Sequence, residues 1–259
     1  MDRDDELFVR RLKDLARSSQ LQDRCVYTDF LDLHQQNIYY SHRKDLAAAQ
    51  VLMYGGYLYA ERQMLAFLPD AFYFSEESSE DLYPSFPIEV LRIYPANVRF
   101  AQKLSHIDYL GALLNLGIDR AKTGDIAVME HEALVFVCES IADFIADNLK
   151  TVSRTSVLVE KADASSLNYR PELKSVHASV ATVRIDSLIA AAFGESRSSL
   201  RGLVEEGKVF INGQLVQGNG VHIQEGDKIS VRGMGRFIYD GVTGKSKKGR
   251  TLVALRVFV

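Results

Sequence analysis

Two arginines near the start of a predicted helix occupy positions that folding alone does not favour. Ser196 is placed to cap this helix, Arg197 follows in its first turn, and Arg201 lies four residues later on the same face. A cation at a helix N-terminus opposes the helix dipole. A phosphate there would accept hydrogen bonds from backbone N–H groups and pair with the guanidinium groups. The pattern predicts a phosphate site, which includes Ser198; the alternative is that the arginines are solvated surface side chains.

Two short helices and a strand are predicted to position these arginines within residues 183–213. Asp186 can cap the first helix, and Gly194 supplies a left-handed stop. The second helix begins at Ser196 and ends at Gly207. Residues 208–212 then alternate like a half-buried strand, and Asn212-Gly213 is a strong hairpin signal. The apolar positions expected to face the core are Leu188, Ile189, Ala192, Phe193, Leu200, Leu203 and Val204.

Charge is distributed unevenly along the chain. The 259 residues carry 31 Lys+Arg and 34 Asp+Glu, a formal net charge of −3. Residues 182–259 alone contain 12 basic and 7 acidic side chains, so this part is positive and the remainder is negative. A basic C-terminal module on an acidic body places the attraction for a polyanion in one region of the chain.

Further basic residues lie between the strands predicted at residues 227–231, 237–239 and 252–259. The Gly-flanked loop 244–250 is expected to be exposed and to contact a phosphate backbone; the alternative is a solubilising hairpin tip. We therefore predict an RNA-binding surface in which Arg184, Arg197, Arg201 and Lys208 form the main face and the other residues extend it. The complete set is Arg184, Arg197, Ser198, Arg201, Lys208, Arg232, Arg236, Lys245, Lys247, Lys248 and Arg250.

Five short pieces of this region resemble the S-four RNA-binding domain, or alpha-L motif. In chain order they are Arg184-Ile185-Asp186, Ser196-Arg197, Gly207-Lys208-Val209, Ile211-Asn212-Gly213 and Gly226-Asp227-Lys228-Ile229. Both the residues of these pieces and their order along the chain match the motif. The resemblance implies a domain that grips RNA, in which Asp186 would cap and orient the first helix.

The first part of the chain, residues 1–85, is predicted to be an α+β domain. It begins with an amphipathic helix over residues 4–18, and Thr28 or Asp29 can cap a second helix. Residues 51–59 and 63–68 indicate paired strands. The tyrosines clustered here form either a base-stacking platform or part of a β core, and the core is favoured. They are Tyr39, Tyr40, Tyr54, Tyr57 and Tyr59. The acidic, Ser-rich residues 75–87 indicate a loop or boundary.

The middle part, residues 86–162, has a β-α-β-β-α-β order, which is the ferredoxin-like or split βαβ arrangement. The strands are predicted at residues 88–94, 125–129, 133–138 and 156–161, and the helices at 105–116 and 140–149. Residues 161–181 read as an irregular linker or an extended arm. The fold class is therefore α+β: an N-terminal α+β unit, a ferredoxin-like middle domain and a C-terminal S-four-like domain at residues 182–259. The ferredoxin-like order alone indicates no function.

Enzyme motifs known from other S-four-containing families are mostly absent from the sequence. The run Gly117-Ile118-Asp119-Arg120-Ala121-Lys122-Thr123-Gly124-Asp125 is superficially similar to the catalytic run of pseudouridine synthases, but its Arg follows the Asp and its spacing differs. Asp119 and Asp125 fit helix-end and turn residues better. The histidines show no metal-ligand spacing. We expect no catalytic site, no metal and no cofactor.

Targeting signals are not evident in the sequence. The charged, amphipathic start fits neither a signal nor a transit peptide, and no apolar run reaches the ~18 residues of a spanning helix. Cys25 and Cys138 lie far apart among apolar neighbours and fit reduced, buried thiols. These features predict a cytoplasmic protein with no membrane partner.

The whole arrangement, together with Leu116-Gly117-Ile118-Asp119-Arg120 and Thr123-Gly124-Asp125-Ile126, resembles the bacterial YlmH family. This resemblance implies a non-enzymatic protein of ribosome-associated quality control. It would bind ribosomal RNA and tRNA on obstructed large ribosomal subunits carrying peptidyl-tRNA. Arg184 and Arg197 would be the arginines that contact these RNAs. It also implies possible protein partners in translation quality control or division. Two alternatives remain: an RNA-modifying enzyme, and a division-linked scaffold that uses the acidic body.

Overall fold

The structure, a computed structural model, describes residues 3–46, 50–69, 85–162, 169–196, 200 and 202–259. The chain divides into two compact units, Met1–Arg170 and Pro171–Val259, referred to below as unit 1 and unit 2. Within the described ranges, none of the helices combines the length and the apolar character needed to cross a bilayer.

Unit 1 begins with two helices on a small antiparallel sheet. Helix α1 spans Arg3–Gln22 and α2 spans Leu33–His42. The strands β1 (Val26–Tyr27), β2 (Gln50–Tyr54) and β3 (Met64–Leu68) are arranged in the order β1-β3-β2. All five residues of β3 are buried. Leu65 and Phe67 pack against α1 and α2, whereas Met64 packs on the other face with Phe30 and Phe136. The pairing predicted for residues 51–59 and 63–68 is confirmed, since β2 and β3 are antiparallel neighbours, although β2 already ends at Tyr54.

The predicted cap of the second helix was wrong. The N-cap is Asp32, whose carboxylate accepts from Gln35 N at 2.9 Å, and the Gln35 side chain accepts from Asp32 N at 3.1 Å. This reciprocal pair satisfies two N–H groups that the helix leaves without partners. Thr28, one of the predicted caps, accepts instead from Leu65 N at 2.9 Å and so joins the small sheet.

The middle of the chain forms the predicted ferredoxin-like order. Its elements are β4 (Ile88–Pro95), α3 (His106–Asn115), β5 (Thr123–Val128), β6 (Ala133–Cys138), α4 (Glu139–Asn148), the two-residue β7 (Thr151–Val152) and β8 (Thr155–Ala162). The antiparallel sheet has the order β5-β6-β4-β8-β7. The first and third strands of the β-α-β-β-α-β unit therefore lie side by side at its centre, as the split βαβ arrangement requires.

The two faces of this sheet are covered differently. Leu91, Ile93 and Val135 face the helices α3 and α4. The opposite face, which includes Phe136, packs against Phe30 and other residues from the first part of the chain. The small sheet and the ferredoxin-like sheet thus share buried side chains within unit 1.

Unit 2 is a six-stranded sheet with one helix packed on it. Its elements are β9 (Leu173–Val180), α5 (Ile185–Phe193), β10 (Val209–Ile211), β11 (Gln214–Leu215), β12 (Lys228–Val231), β13 (Gly235–Lys245) and β14 (Thr251–Phe258). The strand order is β11-β10-β12-β13-β14-β9, and every pairing is antiparallel. The core lies between α5 and one face of the sheet. The α+β class is confirmed.

The expectation of an irregular linker or arm over residues 161–181 was wrong for its second half. Strand β9 pairs with β14 over eight residues, from Phe258↔Leu173 to Thr251↔Val180. Val176, Ala178 and Val180 are at least partly buried and contact the core of unit 2. The polar residues between them lie on the other face, which is why the segment looked mixed in the sequence.

Candidate nucleic-acid interface

The first helix of the alpha-L region begins at Arg184, not at Asp186. Arg184 is the N-cap, with an extended backbone, and its carbonyl oxygen accepts from Ser187 N and Leu188 N at 3.0 Å. Asp186 lies inside the first turn, where its carboxylate accepts from Ser187 N at 2.9 Å and from Arg184 Nε at 3.2 Å. The prediction that Asp186 caps this helix was therefore wrong, because the N-cap is Arg184, two residues earlier. The carboxylate still satisfies an N–H of the first turn and orients Arg184.

The end of this helix agrees with the sequence pattern. Gly194 is the C-cap, with φ of 70°, and its N–H donates to Ala190 O. A left-handed residue at this position lets the last carbonyl groups find donors, and glycine adopts it without a steric penalty. Leu188 and Ile189 are buried in the core of unit 2, as predicted.

The second predicted helix lies partly outside the described residues. Arg197, Ser198 and Arg201 are not among those described, so their predicted part in RNA binding stays a prediction. The described residues Leu200 and 202–207 form turns rather than a helix. Gly207 has φ of 66°, and Lys208 N then donates to Leu203 O at 2.9 Å, so the chain reverses into β10 as the glycine predicted.

The hairpin turn predicted at Asn212-Gly213 is present and does more than reverse the chain. Both residues have positive φ, 49° and 82°, which matches the turn that joins closely paired strands. The Asn212 side chain donates to Asp227 Oδ1 at 2.8 Å and accepts from Lys228 N at 3.0 Å. Two separate pieces of the alpha-L motif therefore hold each other, and this contact explains why both belong to it.

Lys208 and Arg232 lie side by side where β10 and β12 meet. Arg232 N donates to Lys208 O at 2.9 Å. The Lys208 ammonium pairs with Glu206 at 2.6 Å, with both side chains about half exposed. The Arg232 guanidinium lies over the Phe210 ring, 5.1 Å from its centroid. One strand further, Arg236 lies over the Phe258 ring at 4.6 Å.

The basic loop is the tip of the hairpin between β13 and β14. Ser246 N donates to Arg250 O at 2.8 Å and closes the turn. Arg250 is held in place, because its Nε donates to Ser179 Oγ at 3.0 Å and its Nη2 to Ser179 O at 2.6 Å. Lys245, Lys247 and Lys248 are exposed. The tip thus presents three lysines on a turn that Arg250 anchors to β9.

The described members of the predicted site fall into three groups on unit 2. Arg184 lies at the start of α5, the residues Lys208, Arg232 and Arg236 lie along one face of the sheet, and the lysines lie at the hairpin tip. Lys228 and Arg256, which were not among the predicted residues, share the sheet face with Arg236 by strand register.

The run Gly117–Asp125 has a structural role in unit 1. Asp119 accepts from Ala121 N at 2.8 Å and caps a short 3₁₀ turn, as the sequence predicted. Asp125 lies in β5 rather than in a turn. Its carboxylate accepts from Tyr57 Oη at 2.7 Å, Glu61 N at 2.8 Å and Arg62 N at 3.0 Å. The similarity to a catalytic run therefore reflects a joint between the loop before β3 and the ferredoxin-like sheet.

Two arginines complete this joint. Arg62 donates to Thr123 O at 2.9 Å and to Phe30 O at 3.0 Å, and Arg120 donates to Gly124 O at 3.2 Å. Burial and, to a lesser extent, the nearby Arg62 lower the pKa of Arg120 to about 10, whereas Asp125 opposes the shift. Burial likewise lowers the pKa of Arg62. The carboxylate of Asp125 thus offsets the repulsion between two close guanidinium groups.

The tyrosine cluster is largely a packing feature. Tyr39 and Tyr57 are 3% and 8% exposed, and the Tyr57 ring stacks on Phe136 with centroids 5.0 Å apart. These two side chains confirm the core interpretation. Tyr54 is 40% exposed and contacts Phe86. The cluster does not present a continuous row of exposed rings within the described residues.

Two parts of the chain match known protein families, and nearly the whole chain matches a known protein. Residues 84–166 match the family described as "Putative RNA-binding domain in YlmH", and residues 183–229 match the S4 domain. The chain is 32% identical over 252 residues to Ribosome-associated protein quality control protein P2 of Bacillus subtilis (strain 168), which covers 96% of this chain and 93% of that protein. It is also similar to the solved structure of Cell division protein ylmH from Streptococcus pneumoniae, at 22% identity and a TM-score of 0.48, over 64% of this chain and 96% of that one.

Proposed function

The chain belongs to the YlmH family and carries RNA-binding domains, and from this premise we propose that it is a non-enzymatic, cytoplasmic factor of ribosome-associated quality control. It binds ribosomal RNA and tRNA on obstructed large ribosomal subunits that carry peptidyl-tRNA. The B. subtilis relative, whose name states ribosome association and quality control, supports this proposal because the similarity spans nearly the whole of both chains.

The observation that carries the proposal is the basic surface of unit 2. Arg184 is the N-cap of α5, and its guanidinium is about half exposed while it pairs with Asp186 at 3.2 Å. Lys208, Arg232, Arg236 and the lysines of the hairpin tip add cations on the same small domain. Such a surface attracts a phosphate backbone, and the attraction depends on salt. Arg197, Ser198 and Arg201 are expected to add to the RNA-binding site.

The net negative charge of residues 1–181 disfavours RNA binding to that part of the chain. Residues 1–181 carry more acidic than basic side chains, so that long-range attraction favours approach through unit 2. The match of residues 84–166 to an RNA-binding family supports a second, weaker contact from the ferredoxin-like part. We propose that unit 2 supplies most of the affinity and that unit 1 selects the ribosomal site.

A ribosome-binding experiment tests this function. Purified protein is pelleted with large subunits that carry peptidyl-tRNA, with empty large subunits and with small subunits. We expect the strongest binding to the first. Equal binding to all three, or binding to none, would contradict the proposal. Incubation of the protein with the same RNA, followed by digestion to nucleosides, chromatographic separation and mass analysis, tests the enzyme alternative. The separation is needed because pseudouridine has the same mass as uridine, and we expect no new nucleoside peak.

Single substitutions test whether the predicted arginines contact RNA. Arg184→Ala and Arg197→Ala should each weaken RNA binding by about fivefold, the effect of one charge-assisted contact, and should flatten the salt dependence by roughly 0.7–0.9 per phosphate contact. Arg17→Ala, which removes an exposed arginine from α1 in the acidic part, is the matched control and should change neither value. Unchanged affinity of Arg184→Ala at physiological salt would exclude that residue from the site.

A further inference from the structure

Helix α1 has an outer face that is open to solvent. On its inner face, Val9, Leu12, Ala16 and Ser19 are buried. Because an α-helix has 3.6 residues per turn, the residues along the opposite side recur three and four positions apart. Five such residues are all exposed. We call them the outer stripe, and they are Leu7, Arg10, Asp14, Arg17 and Leu21.

The outer stripe carries a large apolar side chain near each end. Leu7 is 52% exposed and Leu21 is 74% exposed. At 1.5 Å of rise per residue, they are separated by about 21 Å along the helix axis. Single exposed leucines are common on protein surfaces, so the spacing is more informative than the exposure. Alternating steps of three and four residues form the seam along which a second helix packs.

The two arginines of the outer stripe are available to a group outside the chain. The neighbouring Arg11 is used within unit 1, where it pairs with Asp29 at 3.7 Å. Among the described residues, by contrast, no carboxylate lies within ion-pair distance of Arg10 or Arg17, and this includes Asp14 between them. Their positive charge is therefore not neutralised by a contact within the described part of the chain.

The charges of the outer stripe argue against a second copy of this chain as the helix that packs there. Two stripes that run in the same direction would place each arginine opposite its own copy. Two stripes that run in opposite directions would place Arg10 opposite Arg17 and Asp14 opposite Asp14. Both arrangements bring like charges together, which weakens association. A helix that fits the stripe must instead carry carboxylates opposite the arginines.

RNA fits the outer stripe less well than such a helix does. A phosphate backbone would pair with the two arginines, but it would leave both leucines uncovered and would be repelled by Asp14. Residues 1–181 also carry more acidic than basic side chains, which disfavours a polyanion. An acidic amphipathic helix covers the leucines and pairs with the arginines from the same face.

We propose that the outer stripe of α1 binds an acidic amphipathic helix of a partner protein. Apolar side chains of that helix pack on Leu7 and Leu21, its carboxylates pair with Arg10 and Arg17, and a cation lies opposite Asp14. The order of the stripe is the same from either end, so the complementary order is the same for a parallel and an antiparallel partner. The contact goes beyond the proposed function, because it joins unit 1 to a protein rather than to RNA.

Synthetic helices test this proposal on the full chain. The acidic probe carries leucine, glutamate, lysine, glutamate and leucine, in that order, at its seam positions, and it is made with the seam spacing of each orientation. Fluorescence anisotropy measures its binding. We expect it to bind the wild type and to bind the double variant Arg10→Glu and Arg17→Glu at least about tenfold more weakly. A basic probe, with lysine in place of both glutamates, should bind that variant in preference to the wild type.

Two control variants separate packing along the stripe from a general attraction between charges. Lys103→Glu with Arg154→Glu makes the same change of net charge at exposed positions elsewhere in unit 1. It should change the affinity for the acidic probe by less than about twofold, because salt screens distant charges. Leu7→Ser with Leu21→Ser keeps every charge and should weaken binding by about tenfold. Circular dichroism should show the wild-type fold in every variant.

Three results would overturn the proposal. The first is wild-type protein that does not bind the acidic probe at about 1 mM. The second is a charge-reversal or leucine variant that binds this probe as tightly as the wild type does. The third is a fall of about fivefold or more in RNA affinity when Arg10→Ala and Arg17→Ala are combined, since that loss would assign the stripe to RNA.

Crosslinking in living cells tests whether the protein has such a partner. Leu21 is replaced by the photoreactive amino acid benzoylphenylalanine, which is also apolar, and Leu158 in β8, 50% exposed, is replaced in the control. We expect light to link position 21 to a protein segment that has carboxylates between apolar seam residues. Arg10→Glu with Arg17→Glu should abolish this crosslink. Crosslinks to RNA, to a segment without that pattern, or to no partner would refute the proposal.

Discussion

Replacement of Asp125 should destabilise unit 1 strongly, because one carboxylate holds three groups. It accepts from Tyr57 Oη, Glu61 N and Arg62 N at 2.7, 2.8 and 3.0 Å. A hydrogen bond to a charged group contributes about 1.5–3 kcal/mol, although partly exposed bonds contribute less and do not add fully. Asp125→Ala also removes one of the negative charges close to Arg62 and Arg120, although that of Asp32 remains near both. We expect a loss of about 4 kcal/mol in the free energy of unfolding.

Two milder changes divide this effect into parts. Tyr57→Phe removes one of the three bonds and should cost about 1 kcal/mol. Asp125→Asn keeps the shape but loses the charge, and its amide N–H group must face one of the donors, so we expect about 2 kcal/mol. Asp119→Ala is the matched control: it loses a single bond to Ala121 N on the surface and should cost about 1 kcal/mol or less.

Urea denaturation and thermal melting of the full chain, followed by circular dichroism, measure these differences. For a unit of this size, about 4 kcal/mol corresponds to a fall of roughly 8–16 °C in the Tm of unit 1. If Asp125→Ala unfolds within about 1 kcal/mol of the wild type, the three bonds do not form the joint described here. If either aspartate were catalytic, the wild type would produce a modified nucleoside in RNA, seen as a new chromatographic peak, and the substitution would abolish that peak without a loss of stability.

Two further predictions concern buried groups. Gly124→Ala should lower the free energy of unfolding by about 2 kcal/mol, because the added methyl would lie 2.6 Å from Phe30 Cε1. Gly111→Ala in α3 meets nothing within 4 Å and should raise it by about 0.5–1 kcal/mol. Urea denaturation compares the two variants, and equal stabilities would contradict the close approach at Gly124. Burial raises the pKa of Cys138 to about 11 and Asp29 adds to the shift, so alkylation of this thiol should stay slow near neutral pH and accelerate only as the pH approaches 11; rapid labelling at about pH 8 would contradict it.

Local patterns predicted most elements of the fold for clear physical reasons. Strand β6 spans Ala133–Cys138, as its continuous apolar run indicated, and Gly194 and Asn212-Gly213 adopt the positive φ values that glycine and asparagine tolerate best. Residue type and spacing suffice there, because the hydrogen bonds and torsions involved are local. The caps were less certain: Asp32 and Arg184 begin helices for which Thr28 or Asp29, and Asp186, were predicted. Several polar residues near a helix start compete for the same N–H groups.

The sequence by itself determined the α+β class, the order of elements in the ferredoxin-like part, and the alpha-L motif with its basic charge. Only the tertiary structure decided that β9 belongs to the sheet of unit 2 and that Asp125 joins two parts of unit 1. It also decided that Arg232 and Arg236 lie over phenylalanines from other strands. These contacts join residues far apart in the chain, and a pairing register sets them. Periodicity identifies a buried face, but not which distant strand lies beside it.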